Sequence, residues 1–163
     1  MWVNGLLFQA VWFTCILGST VAAVLSTASF LVLHLYMTQK LAKEVQIILV
    51  TVLLGFSVDM AFSTAGFIQF QENGAFPYYL LCLWLAFATT LYHSSSKLLS
   101  SNLIALIGGA LAPLSYFAAQ NMGKVSYTAP LYKGIILHAL LWAGIMLIIR
   151  VKFFKKEISS NAR

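Results

Sequence analysis

The amino-acid sequence predicts an all-α fold: a polytopic transmembrane helix bundle of about six spans, the first two forming a short hairpin, with both termini cytoplasmic. Three observations lead there. Of 163 residues, 61% are hydrophobic and 9% charged, with a mean hydropathy of +0.88; soluble domains average about 25% charged residues. Apolar runs recur at about 20 residues, the length that crosses a hydrocarbon core about 30 Å thick. The lysines and arginines gather in segments that alternate passes would bring to one side, and basic residues are retained on the cytoplasmic side. Lipid demands no polar cover, so a single transmembrane helical domain is expected over residues 1–152. A short basic cytoplasmic tail follows at 153–163.

From Val3 to Met37 no residue is formally charged, and one helix of that length would run roughly 50 Å. The chain should therefore fold back at "LGST", Leu17 to Thr20, into two spans of about sixteen residues, since glycine and hydroxyl residues form tight turns. "TQKLAKE" interrupts the apolar pattern before a third span from about Val45 to Gly66, followed by the loop "FQENGAFP". Pro77 opens a fourth span ending near His93, proline being tolerated in a first helical turn. A fifth span covers Leu98 to Ala119. After the loop "QNMGKVSYTA", Pro130 opens a sixth that ends near Lys152. "MWVNGLLFQAVWF" lacks a basic leader and reads as an uncleaved first span.

Six passes put Lys40, Lys43, Lys97, Arg150, Lys152, Lys155, Lys156 and Arg163 on one side, and Lys124 and Lys133 on the other. The net charge of +6, concentrated near the end of the chain, suits an anionic leaflet; nucleic acid is excluded as a partner because the aromatics lie within the apolar runs. Trp2 and Tyr92 are expected at the cytoplasmic interface, with Tyr78, Tyr79, Tyr127 and Tyr132 at the opposite one. Cys15 and Cys82 lie in apolar segments, and no CxxC or Cys/His cluster occurs, so neither a metal nor another cofactor is expected.

At 1.5 Å per residue along alternating helices, the polar side chains fall into two layers. Asn4, Gln9, His34, Thr89, Thr90 and His93 lie within roughly 8 Å of the cytoplasmic boundary, and Asp59 roughly 20 Å from it, level with His138 and near Ser115 and Tyr116. An ionised aspartate at that depth costs about 2.5–3.5 kcal/mol on insertion scales, so Asp59 should face the bundle interior with a partner. Gly55, Asp59 and Ser63 form one narrow stripe for close packing. His34 reads as a helix-end side chain reaching interfacial water. In "FATTLYHS", Thr89 and His93 fall at i and i+4 with Thr90 beside them, which would form a small polar pocket open to the cytoplasm; the competing reading is hydroxyls bonded back to their own helix carbonyls with a snorkelling histidine at the border. Ala105, Gly109 and Pro113 make a small-residue stripe with a kink, where the proline leaves the Gly109 carbonyl without its helical donor, for water, Ser115 or another helix to fill.

"NGLLFQAVWFTCILG", "LWLAFATTLYHS" and "GGALAPLSYFAAQNMGKVSY", together with "LLGFSVDMAF", resemble domain-of-unknown-function family 2878, small bacterial inner-membrane proteins. The resemblance covers most of the chain. It implies a bacterial cytoplasmic-membrane location, a pointer toward lipids and no assigned activity. By its pattern Asn4, Gln9, Trp12, Asp59, Thr89, Thr90, His93, Pro113, Ser115 and Tyr116 carry over. His138 falls outside that pattern, which favours Tyr116 or Ser115 as the partner of Asp59.

The favoured function is a non-enzymatic membrane component that binds a lipid-like ligand, a protein partner or a second copy of itself. The alternatives are a membrane-embedded lipid-modifying enzyme and a small proton-linked transporter, both using Asp59. Against an enzyme, three histidines cannot supply the boxes of a di-iron desaturase, and no HExxH, GxSxG or paired-carboxylate signature is present.

Overall fold

The computed structural model describes residues 2–71, 76–128 and 130–154, and of Trp2 only the backbone. Lys155, Lys156, Arg163 and nearly all of the expected basic tail lie outside the described residues, as does the Trp2 side chain. The helices are α1 (Trp2–Leu17), α2 (Thr20–Met37), α3 (Leu41–Thr64), α4 (Tyr78–Thr90), α5 (Asn102–Leu111), α6 (Pro113–Asn121) and α7 (Leu131–Phe153), with a 3-10 turn at Ser96–Leu99. Four helical segments are long and apolar enough to cross a membrane: α2, α3, α5 with α6, and α7. The outward faces of these helices carry Leu25, Val32, Leu49, Leu53, Ile136, Leu140 and Ile148, all exposed. That is the surface lipid requires and water penalises.

The first turn forms where the sequence places it. Ser19 caps α2 by accepting a hydrogen bond from the Ala22 N–H at 3.3 Å, satisfying one of the donors left over at a helix start. α3 begins four residues earlier than the apolar pattern indicated, so Lys43 and Glu44 lie inside the helix. α4 is central, packing on α1, α2 and α3, with Tyr79, Leu80, Trp84, Ala86 and Ala88 buried. At 13 residues it is only about 20 Å long. A helix sheathed by others need not match the thickness of lipid.

The expected fifth span is two helices. Pro113 starts α6, and the Gly109 carbonyl is taken by the Ala112 N–H at 3.0 Å in a tighter turn, while Ser115 bonds the Ala112 carbonyl instead. The small-residue face does bring helices together: a Cβ at Gly109 would stand 2.6 Å from Ala143 Cα and the Trp142 carbonyl, so α5 meets α7 nearly backbone to backbone.

The fold is not wholly α-helical. β1 (Ile68–Phe70) and β2 (Val125–Tyr127) pair antiparallel with Gln69 opposite Ser126. α3 ends at Gly66 (φ +78°), where Phe67 N–H bonds the Phe62 carbonyl; α6 ends at Gly123 (φ +76°), where Lys124 N–H bonds the Ala119 carbonyl. Left-handed glycines thus stop both helices and turn the chain into strands. The strands are short and lie in segments that read as loops.

Two of the tyrosines assigned to a membrane interface point inward. Tyr79 is 1% exposed and donates to the Lys124 carbonyl at 2.8 Å, and Tyr127 reaches His138. Tyr78 and Tyr132 are exposed.

Candidate functional site

Asp59 on α3 is fully buried and surrounded by donors. Its Oδ2 accepts from Trp84 Nε1 at 2.8 Å and from the Tyr116 hydroxyl at 2.5 Å; its Oδ1 lies 3.1 Å from His138 Nε2. The tyrosine distance is that of a charge-assisted O–H···O⁻ bond. His138, also fully buried, has the Tyr127 hydroxyl 2.9 Å from Nδ1. Burial, and secondarily the Asp59 charge, push the Tyr127 hydroxyl pKa up, so it remains a proton donor. Tyr127, His138 and Asp59 thus form one buried hydrogen-bonded chain, from the Tyr127 hydroxyl to His138 Nδ1 and from His138 Nε2 to Asp59 Oδ1. The His138 pairing is therefore present alongside that of Tyr116.

Two glycines make this geometry possible. A Cβ at Gly55 would fall 2.0 Å from the Trp84 ring, and one at Gly134 would fall 2.8 Å from the Tyr127 ring. Each lies one turn before the polar residue it serves, Asp59 or His138, on the same helix face. The missing side chain lets an aromatic ring lie flat against the helix and place its polar tip one turn further on. What packs on the Gly55–Asp59 stripe is thus an indole.

Trp84 stacks on Trp142 at 4.6 Å between centroids, and Tyr116 meets Trp142 edge-on at 6.0 Å. These three rings line a cleft of about 490 Å³. Much of the rest of its lining comes from α1 (Phe8, Gln9, Trp12, Ile16), α4 (Leu80, Leu83, Phe87) and the bend between α5 and α6 (Gly108, Leu111, Ala112, Ser115). α1 packs chiefly on α2 and α4, whereas α5 packs chiefly on α7, so the space between α1 and the bend is left open. Trp142 Nε1 is buried without a well-aligned hydrogen bond among the described residues, with Tyr116 as its nearby polar neighbour, which puts an N–H donor at this mostly apolar place. Ser115 lines the cleft, but its hydroxyl bonds the Ala112 carbonyl at 2.7 Å and does not reach Asp59.

The other expected polar residues separate. Gln9 and Trp12 line the cleft. Thr89 and Thr90 bond back to the Ala86 and Phe87 carbonyls, and Thr90 Oγ1 also accepts from Ser95 at 3.0 Å. α4 ends at Thr90, so His93 does not stack on Thr89. Instead His93 Nε2 meets Glu44 Oε1 at 2.8 Å. His34 is 7% exposed, away from interfacial water, with Nε2 3.2 Å from Glu44 Oε2. Asn4 Nδ2 lies 3.3 Å from His34 Nδ1, and Ser94 donates to Asn4 Oδ1 at 2.9 Å.

The model of a family described as a protein of unknown function, DUF2878, matches residues 1–148. The chain belongs to the DUF2878 family. No curated protein and no solved structure matches it significantly. In this DUF2878 member, sequence reasoning passed over two residues that hold the polar clusters together. Trp84 sits in an apolar run where an indole reads as core, and only Gly55 opposite an intramembrane acid hinted at its role. Glu44 was absorbed into a charged boundary segment, although an acid one turn into a helix beside two histidines was the available signal.

Proposed function

We propose that this DUF2878 protein is a non-enzymatic component of the bacterial inner membrane that binds a lipid-like ligand in the cleft between α1 and the α5–α6 bend. The observation that carries the reading is the cleft itself: about 490 Å³, within the roughly 300–1,000 Å³ of small-molecule sites. Aromatic rings line it, and Asp59 fixes two of them from behind. Apolar walls suit an acyl chain, and the Trp142 N–H, buried without a well-aligned acceptor, suits an ester or carboxyl oxygen. The basic residues around Lys40, Lys43, Lys97, Arg150 and Lys152 support cytoplasmic termini.

Mass spectrometry of lipid retained by the detergent-purified chain tests this. Wild type is expected to carry a defined lipid class that Ala112→Trp, filling the cleft, loses while staying folded. Equal lipid in both, or none in wild type, contradicts the reading.

A second reading has one observation in its favour: Tyr116 both lines the cleft and bonds Asp59, connecting a ligand to the Asp59–His138–Tyr127 chain. Acid–base chemistry on lipid or proton-linked transport would then depend on Asp59. Asp59→Asn separates the readings, since it spares ligand retention under the first and abolishes turnover or transport under the second.

A further inference from the structure

We infer that His34, Glu44 and His93 form a binding site for a divalent first-row transition-metal ion of the zinc type. The inference does not rest on the lipid cleft, which lies elsewhere in the fold. The three residues come from α2, from the first turn of α3 and from the turn after α4, and their ligand atoms lie within 4.8 Å of one another. Ligands about 2.0–2.1 Å from a tetrahedral zinc stand roughly 3.4 Å apart. The two nitrogen-to-carboxylate separations, 3.2 and 2.8 Å, both fall somewhat short of that spacing, so the ion is admitted when side-chain rotations move the ligand atoms apart by a few tenths of an ångström.

The donor set selects the ion. Two imidazoles and one carboxylate favour zinc, cobalt or iron over magnesium or calcium, which take all-oxygen sites. Two histidines and a glutamate with a fourth position left open are also a set that binds zinc with a water or substrate. Access is present: the His93 side chain is 35% exposed, whereas those of His34 and Glu44 are 4% and 1%. A buried carboxylate with two imidazoles aimed at it, one reachable from outside, is more than a surface ion pair.

The surroundings of His34 fit as well. Metal at Nε2 of a neutral imidazole requires the proton on Nδ1, and metal-bound histidines almost always pass that proton to a fixed acceptor. Asn4 occupies that place. With its amide turned over, Oδ1 accepts from His34 Nδ1–H and Nδ2 donates to Ser94 Oγ, using the same two contacts. In the neutral tautomers the His34 proton moves from Nε2 to Nδ1 and His93, partly exposed, shifts its own proton the same way, so both Nε2 atoms are freed for the ion with no proton gained or lost.

The test is titration of the chelator-stripped, detergent-purified full chain with Co²⁺, followed by Zn²⁺ competition. Expected is saturable growth of visible cobalt bands at one ion per chain, displaced by zinc and lost in His93→Gln. This variant changes the partly exposed ligand, and its fold is checked by thermal unfolding. Asn4→Ala should weaken binding roughly 10–100-fold. Absence of saturable binding in wild type, or undiminished binding in His93→Gln, overturns the site and leaves a hydrogen-bonded His–Glu–His cluster.

Discussion

At the scale of single residues, Asp59 decides how the centre of the bundle is arranged. A carboxylate in that place is stable because three donors converge on it: an indole, a phenol and an imidazole. A hydrogen bond to a charged group contributes about 1.5–3 kcal/mol, so Tyr116→Phe is expected to lower stability by that amount in detergent thermal unfolding. Ser115→Ala, next in sequence, should stay within about 0.5 kcal/mol, because its hydroxyl serves only its own helix. Equal losses in the two variants would show that Asp59 does not depend on Tyr116. Depth counting along the helices brought Asp59 level with His138 and near both Ser115 and Tyr116 but could not say which of those two turned toward it, since neighbouring residues on a helix point about 100° apart and the proline bend shifts the phase.

At the scale of elements, glycines set how closely rings and helices approach. Gly55 leaves room for the Trp84 ring, and a Cβ at Gly144 meets nothing within 4 Å. Gly55→Ala is therefore expected to cost about 1–3 kcal/mol through overpacking. Gly144→Ala should be neutral or stabilising by up to about 1 kcal/mol, since alanine is the better helix former. Unfolding of the two variants side by side checks the contrast, and a Gly55→Ala as stable as Gly144→Ala would contradict the packing described. The helices themselves were legible, because apolar length dominates wherever lipid is the solvent. Their ends were less so: α3 starts early because Lys43 and Glu44 are good helix formers despite their charge, and Pro113 divides α5 from α6. The β1–β2 pair was invisible, since three-residue strands show no alternation to read. Its signal lay in the two glycines, Gly66 and Gly123, that stop the preceding helices.

At the scale of the whole molecule, the described residues form six helical segments when α5 and α6 count as one, four of them long and apolar enough to cross a membrane. Asn4 and Phe154, near the two ends of the described chain, both reach the segment Tyr92–Ser94. On the proposed topology of six passes with cytoplasmic termini, reporter fusions at the two ends are expected to give the same cytoplasmic signal; opposite signals would contradict separate passes of α1 and α2. The short central α4 and α1, which packs chiefly on α2 and α4, leave a cleft that opens to the Asp59 rings. Trp84 and Trp142 line that cleft, so an acyl chain carrying bromine should quench their fluorescence when it enters. In a Trp2→Phe, Trp12→Phe background, titration with brominated lipid in detergent is predicted to give saturable quenching that Ala112→Phe abolishes. Weak, non-saturating quenching that is the same with and without Ala112→Phe would contradict a lipid-binding cleft.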